Sequence, residues 1–517
     1  MTLRPRNDLP PAEGPSAYDR LTSQDSSLLM FEQRNTHMHV AAVAIFESGP
    51  LRSQDGGLDG PRITRYVESR LPCLPRYRQR LAFTPFQRHP VWVDDDHFDL
   101  HYHVRHTALP RPGSEEQLKH LAGRILSQPL DRDRPLWEMW VIEGLERDRF
   151  ALLTKVHHCM VDGASGTSLL TQLFRPTPDD TIEPIAAWSP RRHPSVLRLG
   201  VDEVVERISG PLSILKDLAE AVQSPARTLD LVKSRGASVV EAVRDGLHLP
   251  SESELNRPIG PHRRVEWRTF DLPELKALKK SLGGTINDLV LTVVTGAIRR
   301  FLERRGEPLD DLDYRVVIPV NMRSGSGDPE LANRVSAFFM TLPVSEPDPI
   351  RRLQQVQSET ARLKGSRAAD GIDFFTQLVE RSRSTWLTEV GVRFAARVQP
   401  YNQIVSNVPG PQFPLYVLGA PLTRLFPLAP LFERQGLGTA VMSYDGRVCW
   451  GLVADRDTVP DLGALAGDLE RAMAELVALA SPGSGAPGRD DERPAPVAGE
   501  STAVREPEAP RPARSHM

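Results

Sequence analysis

Lys155-Val156-His157-His158-Cys159-Met160-Val161-Asp162-Gly163-Ala164-Ser165-Gly166 is the stretch on which the reading of this chain turns. Before it, Phe150-Ala151-Leu152-Leu153-Thr154 carries a mostly apolar run of strand length into Lys155-Val156. At its end, Asp162-Gly163 with Ala164-Ser165-Gly166 supplies the turn chemistry that stops a strand, and a helix is expected from Thr167 to Phe174. Side chains alternate faces along a strand, so His157 and His158 point apart while strand geometry persists. One imidazole is then free for chemistry and the other for structure. An imidazole titrates near neutrality, and can take a proton from a hydroxyl and later return one to a leaving group. Gly163 gives the loop freedom or room to bend sharply. Asp162 either orients a ring or anchors the loop to an arginine, and spacing does not choose between them. The plainer reading is a pair of core histidines before an Asp-Gly turn; the complete string after an apolar strand argues against it.

The whole chain bounds what such a site can serve. Its 517 residues are 40% hydrophobic and 25% charged, the composition of a soluble globular protein with a sizeable core. A net charge of -3 and a pI near 6.6 give no global electrostatic reason to bind nucleic acid. Cys73, Cys159 and Cys449 are too scattered for a zinc or disulfide framework, which points to a reducing compartment. The first residues lack the apolar core of a secretory signal, and no run reaches the roughly 18 to 20 apolar residues that span a bilayer. A cytoplasmic protein is expected, lying on membranes if it meets them.

Working outward, residues 1–16 read as an irregular N-terminus, 17–180 as a first half carrying the histidines, 181–260 as a helical crossover linker, 261–480 as a second half and 481–517 as a disordered tail. In the first half, a helix from Ser26 to Gln33, capped by Ser23 or Asp25, precedes a strand from His37 to Glu47. Glu115 to Gln128 is an amphipathic helix, and Glu138 to Glu143 returns through a polar turn into the histidine strand. His97, His101, His103 and His106 alternate as in an extended segment, and no metal site is assigned to them. In the linker, Ile208, Leu212, Ile214, Leu215 and Leu218 interleave with Lys216, Asp217 and Glu220, a helix that either packs on the protein or meets a lipid surface. In the second half, Gly283-Gly284 breaks a helix, and Thr285 can cap the next, apolar one, which bears Asn287 and Asp288. Polar groups at that position must find partners or act. A strand from Gln403 to Asn407 runs into a rigid turn, and a hairpin joins Gly438–Ser443 to Val448–Ala454.

Several further strings accompany the histidine motif: Ser23-Gln24-Asp25 with Met38-His39-Val40, Phe98-Asp99-Leu100 with His103-Val104-Arg105, and Pro135-Leu136-Trp137. The second half adds Gly260-Pro261-His262-Arg263-Arg264, Asn287-Asp288 and Asn407-Val408-Pro409-Gly410-Pro411. With these, the chain from Leu21 to Leu479 resembles the bacterial wax ester synthase/acyl-CoA:diacylglycerol acyltransferases. That family lies within the chloramphenicol acetyltransferase-like and condensation-domain superfamily, which shares His-His-x-x-x-Asp-Gly. The resemblance implies an α+β fold of two chloramphenicol acetyltransferase-like α/β sandwich halves with mixed sheets and a tunnel at their interface. It implies a long-chain acyl-CoA O-acyltransferase that makes triacylglycerol from diacylglycerol, wax esters from fatty alcohols, or both. Acyl-CoA is then a co-substrate, no cofactor is needed, and the enzyme sits at the inner membrane or lipid inclusions.

Carried onto this sequence, the resemblance makes His158 the base that deprotonates the acceptor hydroxyl and His157 a residue that shapes the site. Asp162 becomes a structural salt-bridge residue, and Gly163 keeps space near the tunnel. Asn287 and Asp288 match an Asn-Asp motif implicated in activity, with Asn287 able to donate to the tetrahedral oxyanion. Cys159 beside an imidazole raises a Cys-His nucleophile, set aside because adjacent strand residues point apart and a buried cysteine commonly just packs. Two other functions compete: acyl transfer to a specialised hydroxyl acceptor, and an idle lipid-surface binder that retains the fold. The intact His157, His158, Asp162, Gly163, Asn287 and Asp288 argue against the second.

Overall fold

Phe150-Ala151-Leu152-Leu153 is apolar at every position because both faces of its strand are covered. Phe150 and Leu152 bury in one hydrophobic cluster with Ile63, Tyr66 and Val67 of the helix Gly60–Arg70. Ala151 and Leu153 bury in another with Leu118, Ala122 and Ile125 of the helix Glu115–Leu126. That second helix starts with a capping box between Ser114 and Gln117.

The computed structural model describes residues 18–86, 88–160, 170–205, 249–321, 335–365 and 399–480. The first half supplies strands β1 (Asp19–Arg20), β2 (His39–Glu47), β3 (Gln79–Phe83), β4 (Pro90–Asp94), β5 (Val104–Ala108), β6 (Trp137–Leu145) and β7 (Arg149–His157). The second supplies β8 (Arg263–Asp271), β9 (Tyr314–Asn321), β10 (Val335–Leu342), β11 (Gln403–Pro409), β12 (Tyr416–Val417), β13 (Ala420–Leu428), β14 (Leu437–Tyr444) and β15 (Arg447–Asp455). They form a three-stranded sheet, β1-β4-β3, and two six-stranded sheets, β12-β13-β2-β7-β6-β5 and β10-β9-β11-β14-β15-β8. Both large sheets are mixed, since β5 runs parallel to β6 and β11 runs parallel to β9 and β14. The second large sheet packs against helices Ile286–Arg304 and Leu462–Ala480, whose Leu289, Val293, Leu469 and Met473 share a core with Val316, Val405 and Trp450. Among the described residues no single helix is long and apolar enough to cross a membrane.

One strand departs from the two-halved division. β13 comes from the second half of the chain but pairs with β2 of the first, from Leu422↔Phe46 to Leu428↔Ala41. The sequence hides it because Pro421 and Pro427 read as strand breakers. Pro421 pairs with Tyr416 of two-residue β12 and precedes Leu422, where pairing with β2 begins, while Pro427 lies beyond the reach of β12 on an edge. β13 also faces the second sheet. Phe426 stacks on Trp267 of β8 at 4.9 Å, and Gly451 of β15 lies so close to the Pro427 carbonyl that a Cβ there would overlap it. Polar contacts close the same seam. Glu115 accepts from Arg149 at 3.1 Å, from Trp267 Nε1 at 3.2 Å and from Arg424 at 2.6 Å, and Lys119 pairs with Glu266 at 2.7 Å. Burial alone would raise the Glu115 carboxyl; Arg424, Trp267 and Arg149 hold it below the usual range instead.

Two local expectations change. The cap of the helix Ser23–Phe31 is Thr22, whose hydroxyl accepts from Asp25 N at 3.0 Å, rather than Ser23 or Asp25. The histidine-rich segment turns through a short helix, Leu100–His103, before extending as β5, because the Asp99 carboxylate accepts from His101 N at 2.9 Å. His103 is buried there, stacked on Trp137 at 4.7 Å with Nδ1 against Trp137 O at 2.8 Å. Asp162, Gly163, the lipid-facing candidates Ile208 to Leu218, and the tail from Ser481 lie outside the described residues.

Candidate active site

The main chain of the two histidines is clamped from both sides. His157 N donates to Leu136 O at 2.9 Å, and His158 N donates to Met38 O at 2.7 Å. Two of the strings that accompany the motif, around Leu136-Trp137 and Met38-His39, therefore hold it in place. β7 ends at His157, and His158–Met160 is a turn of 3₁₀ helix. Strand alternation stops between the two imidazoles, and the turn separates their environments: His157 is buried and His158 half-buried.

His157 is held at Nδ1 by hydrogen bonding and faces a carboxylate at Nε2. The Cys159 N–H donates to its Nδ1 at 3.2 Å, and the Cys159 sulfur lies 2.9 Å from the same nitrogen. An accepting Nδ1 assigns the ring proton to Nε2, which faces the Glu32 carboxylate at 3.6 Å. The turn thus points Cys159 at His157, two residues back, and not at its neighbour. Burial pushes the thiol well above its usual range, so no thiolate is available as a nucleophile.

Glu32 is the centre of a cluster. Besides His157, its carboxylate lies 3.6 Å from His39 Nε2 and 3.7 Å from His37 Nδ1, and accepts from Arg132 Nε at 3.0 Å. Burial would raise its pKa, but His157, His37 and Arg132 outweigh that and hold it far below the carboxylate range. His39 is kept neutral by its own burial, reinforced by the positive charge of Lys155. Lys155, wholly buried, donates to Ile125 O and Gln128 O and lies 3.3 Å from Glu138. Glu32 and Arg132 have no signature in the sequence: both come from far along the chain, and neither sits in a recognisable string.

His158 differs from all of these. Burial lowers its pKa, contact with its own main chain opposes that, and His157 lowers it further. Its Nδ1 is enclosed and finds no hydrogen-bond partner of normal geometry among the described residues. The ring is therefore neutral at pH 7, half-buried, and makes no side-chain hydrogen bond to another described residue.

The Asn-Asp pair begins the helix Ile286–Arg304. Gly283 and Gly284 both adopt positive φ, of 80° and 79°, and Thr285 and Asp288 close a capping box: Asp288 Oδ2 accepts from Thr285 N at 2.7 Å. Asp288 Oδ1 accepts from the Thr360 hydroxyl at 2.8 Å. Both carboxylate oxygens are thus engaged in fixing the start of the helix. Asn287 Oδ1 accepts from Asn407 Nδ2 at 3.3 Å, which leaves the Asn287 amide N–H groups without an acceptor among the described residues. Asn407 lies on β11 beside Val408, which pairs with Met442 of β14. Met442 in turn belongs to the hydrophobic cluster that includes Val156 and Met160.

This chain matches two families along its length. The wax ester synthase/diacylglycerol acyltransferase catalytic domain matches residues 21–290, and the C-terminal domain of the same enzymes matches residues 331–477. A probable diacylglycerol O-acyltransferase of Mycobacterium tuberculosis strain ATCC 25618 / H37Rv is 33% identical over 469 residues, covering 89% of this chain and 96% of the relative. The solved structure of a wax ester synthase/diacylglycerol acyltransferase from Marinobacter aquaeolei VT8 is 26% identical, with a TM-score of 0.64 over 89% of this chain and 99% of that one. The first condensation domain of the CDA synthetase, 15% identical over 91% of this chain and 98% of its own, shares the fold with a TM-score of 0.53.

Proposed function

We propose that this chain, which belongs to the wax ester synthase/diacylglycerol acyltransferase family and is an acyltransferase, moves a long-chain acyl group from coenzyme A to the hydroxyl of a diacylglycerol or a fatty alcohol, with His158 as general base. The observation that carries this reading is the contrast between the two histidines. His157 is held by Cys159 and faces Glu32, whereas His158 is neutral, half-buried and without a side-chain hydrogen bond among the described residues.

In the proposed reaction, acyl-CoA and acceptor meet at His158 in a tunnel between the two halves. His158 takes the hydroxyl proton as the acceptor oxygen attacks the thioester carbonyl carbon. A C–O bond forms, and the carbonyl electrons move onto oxygen. The oxyanion needs a preorganised donor, and the Asn287 amide is the candidate with N–H groups to spare. Asp288, with both carboxylate oxygens already accepting, serves by fixing the helix that presents Asn287. The tetrahedral intermediate collapses with loss of the C–S bond, and the coenzyme A thiolate takes the proton from His158. No covalent acyl-enzyme is needed when both substrates are bound together. In this scheme His157 shapes the site, Asp162 serves as a structural salt-bridge residue and Gly163 keeps space near the tunnel.

The test is thiol release by purified protein given a long-chain acyl-CoA with diacylglycerol, with a fatty alcohol, or with no acceptor, and mass analysis of the product. Release that depends on acceptor is expected; no release with either acceptor would overturn the reading. Glu32 provides a second check on the site. Glu32→Gln removes the charge that holds His157, and small displacements of a positioned group are costly, so kcat is expected to fall about 10- to 100-fold with KM for acyl-CoA little changed. A proportionate rise in KM would instead mark Glu32 as part of substrate binding.

A further inference from the structure

Residues 196–205 are helical, begun by Ser195, whose hydroxyl accepts from Arg198 N at 3.2 Å. The helix packs on the β3–β4 hairpin. Leu199 buries against Val91 and Val93 of β4, and the buried Glu203 carboxylate accepts from Phe86 N at 3.1 Å. Gly200 lies against Pro85 and Phe86. Positions 199, 200 and 203 thus face inward and fix how the helix is turned.

The outward face is the wrong kind for water. Leu197, Val201, Val204 and Val205 follow the i, i+4, i+7, i+8 spacing of a buried stripe, yet Leu197 is 79% exposed and Val205 58%. Phe86, at the tip of the hairpin, is 69% exposed beside them. A contiguous apolar face of this kind, on a helix whose other side is already satisfied, is the mark of an interaction surface. Its border is cationic. Arg198 projects from the same helix with Asp202 only as near as 3.9 Å, Arg192 is exposed just before it, and the Arg88 guanidinium lies over the Phe83 ring at 5.4 Å. Apolar side chains flanked by guanidinium groups match a bilayer surface, where the first enter between acyl chains and the second meet phosphate.

We propose that Phe86 and the outward face of helix 196–205 dock the enzyme on an anionic lipid surface. The proposal rests on the acyltransferase reading in one respect, that a diacylglycerol acceptor is itself dissolved in that surface.

The experiment is sedimentation of the full chain with vesicles of phosphatidylcholine alone and of phosphatidylcholine with phosphatidylglycerol. The wild type is expected to favour the anionic vesicles and to lose that preference at high salt. The triple variant Phe86→Ser, Leu197→Ser, Val201→Ser should partition about 10-fold or more weakly to both, and Arg88→Gln with Arg192→Gln should weaken only the anionic case. Both variants should transfer acyl groups to a short, water-soluble alcohol at the wild-type rate, which shows that they are folded. Unchanged partition of the triple variant would overturn the proposal. Its partition unchanged together with dissociation of a wild-type dimer would assign the face to a second copy, and with new protease cleavage in 206–248 to that segment. Wild-type protein that transfers to no acceptor would sink the acyltransferase reading alone, because vesicle binding is scored independently.

Discussion

His158→Ala is expected to lower kcat/KM for acyl transfer about 100- to 10,000-fold, roughly 3 to 5 kcal/mol of transition-state stabilisation, the usual contribution of a general base. The fold should survive. The clamps on this segment are main-chain bonds from His157 and His158 to Leu136 and Met38, which alanine keeps, and among the described residues the His158 Nδ1 has no hydrogen-bond partner to leave stranded. The thermal midpoint should therefore move little while thiol release nearly stops. Wild-type kinetics supply the matching pH signature. The base must be neutral, and burial lowers its pKa, so kcat/KM should stay flat through the ordinary histidine value of about 6.5 and fall only below it. Stability moves in the same direction. An unfolded chain binds a proton at His158 from about pH 6.5 downward while the folded chain resists it, so stability present above that value is lost as pH falls toward the lowered folded pKa. A fully active alanine variant, or an acid limb well above pH 6.5, would remove His158 from its proposed role.

The second large effect is structural. Gly451→Val should destabilise the protein by at least about 3 kcal/mol, seen as a lower thermal midpoint and faster proteolysis. A side chain there would overlap the Pro427 carbonyl and crowd Leu428 Cδ2 at 3.1 Å, so β15 would have to part from β13. The principal obstacle, the Pro427 carbonyl, is main chain, and no side-chain rotamer change relieves it. Gly49→Ala, which meets nothing within 4 Å, is the control and should leave the midpoint unchanged. Equal effects for the two would show that the seam is not packed this closely.

What was legible in the sequence was local. The β6–β7 hairpin, the β14–β15 hairpin across Asp445-Gly446 and the Thr285 cap followed from periodicity and turn residues a few positions apart. The motif histidines stood out for the same reason. What decides their roles was not legible. Glu32 reaches His157 from the end of a helix early in the chain, and Arg132 joins them from a loop, with nothing in the spacing to announce either. The partner of Cys159 was hidden by the assumption that strand geometry continues past His157, when it stops there. β13 was obscured by its prolines, which read as breakers until its edge position is known.

That last strand imposes an order on synthesis. β2 pairs with β7 on one side, and its other side waits for β13; the Thr423 hydroxyl that caps the arrangement donates to Ile45 O from 378 positions away. At translation rates of about 5 to 20 residues per second, roughly 20 to 80 s separate the emergence of the two strands. Throughout that interval a nascent chain carries an open strand edge rich in valine and alanine, a template for any neighbouring chain on the same message. A gene fragment stopped at residue 290, where the catalytic-domain match ends, would carry that edge permanently. The sequence boundary of the catalytic domain is therefore not a boundary at which the ribosome could release a finished fold.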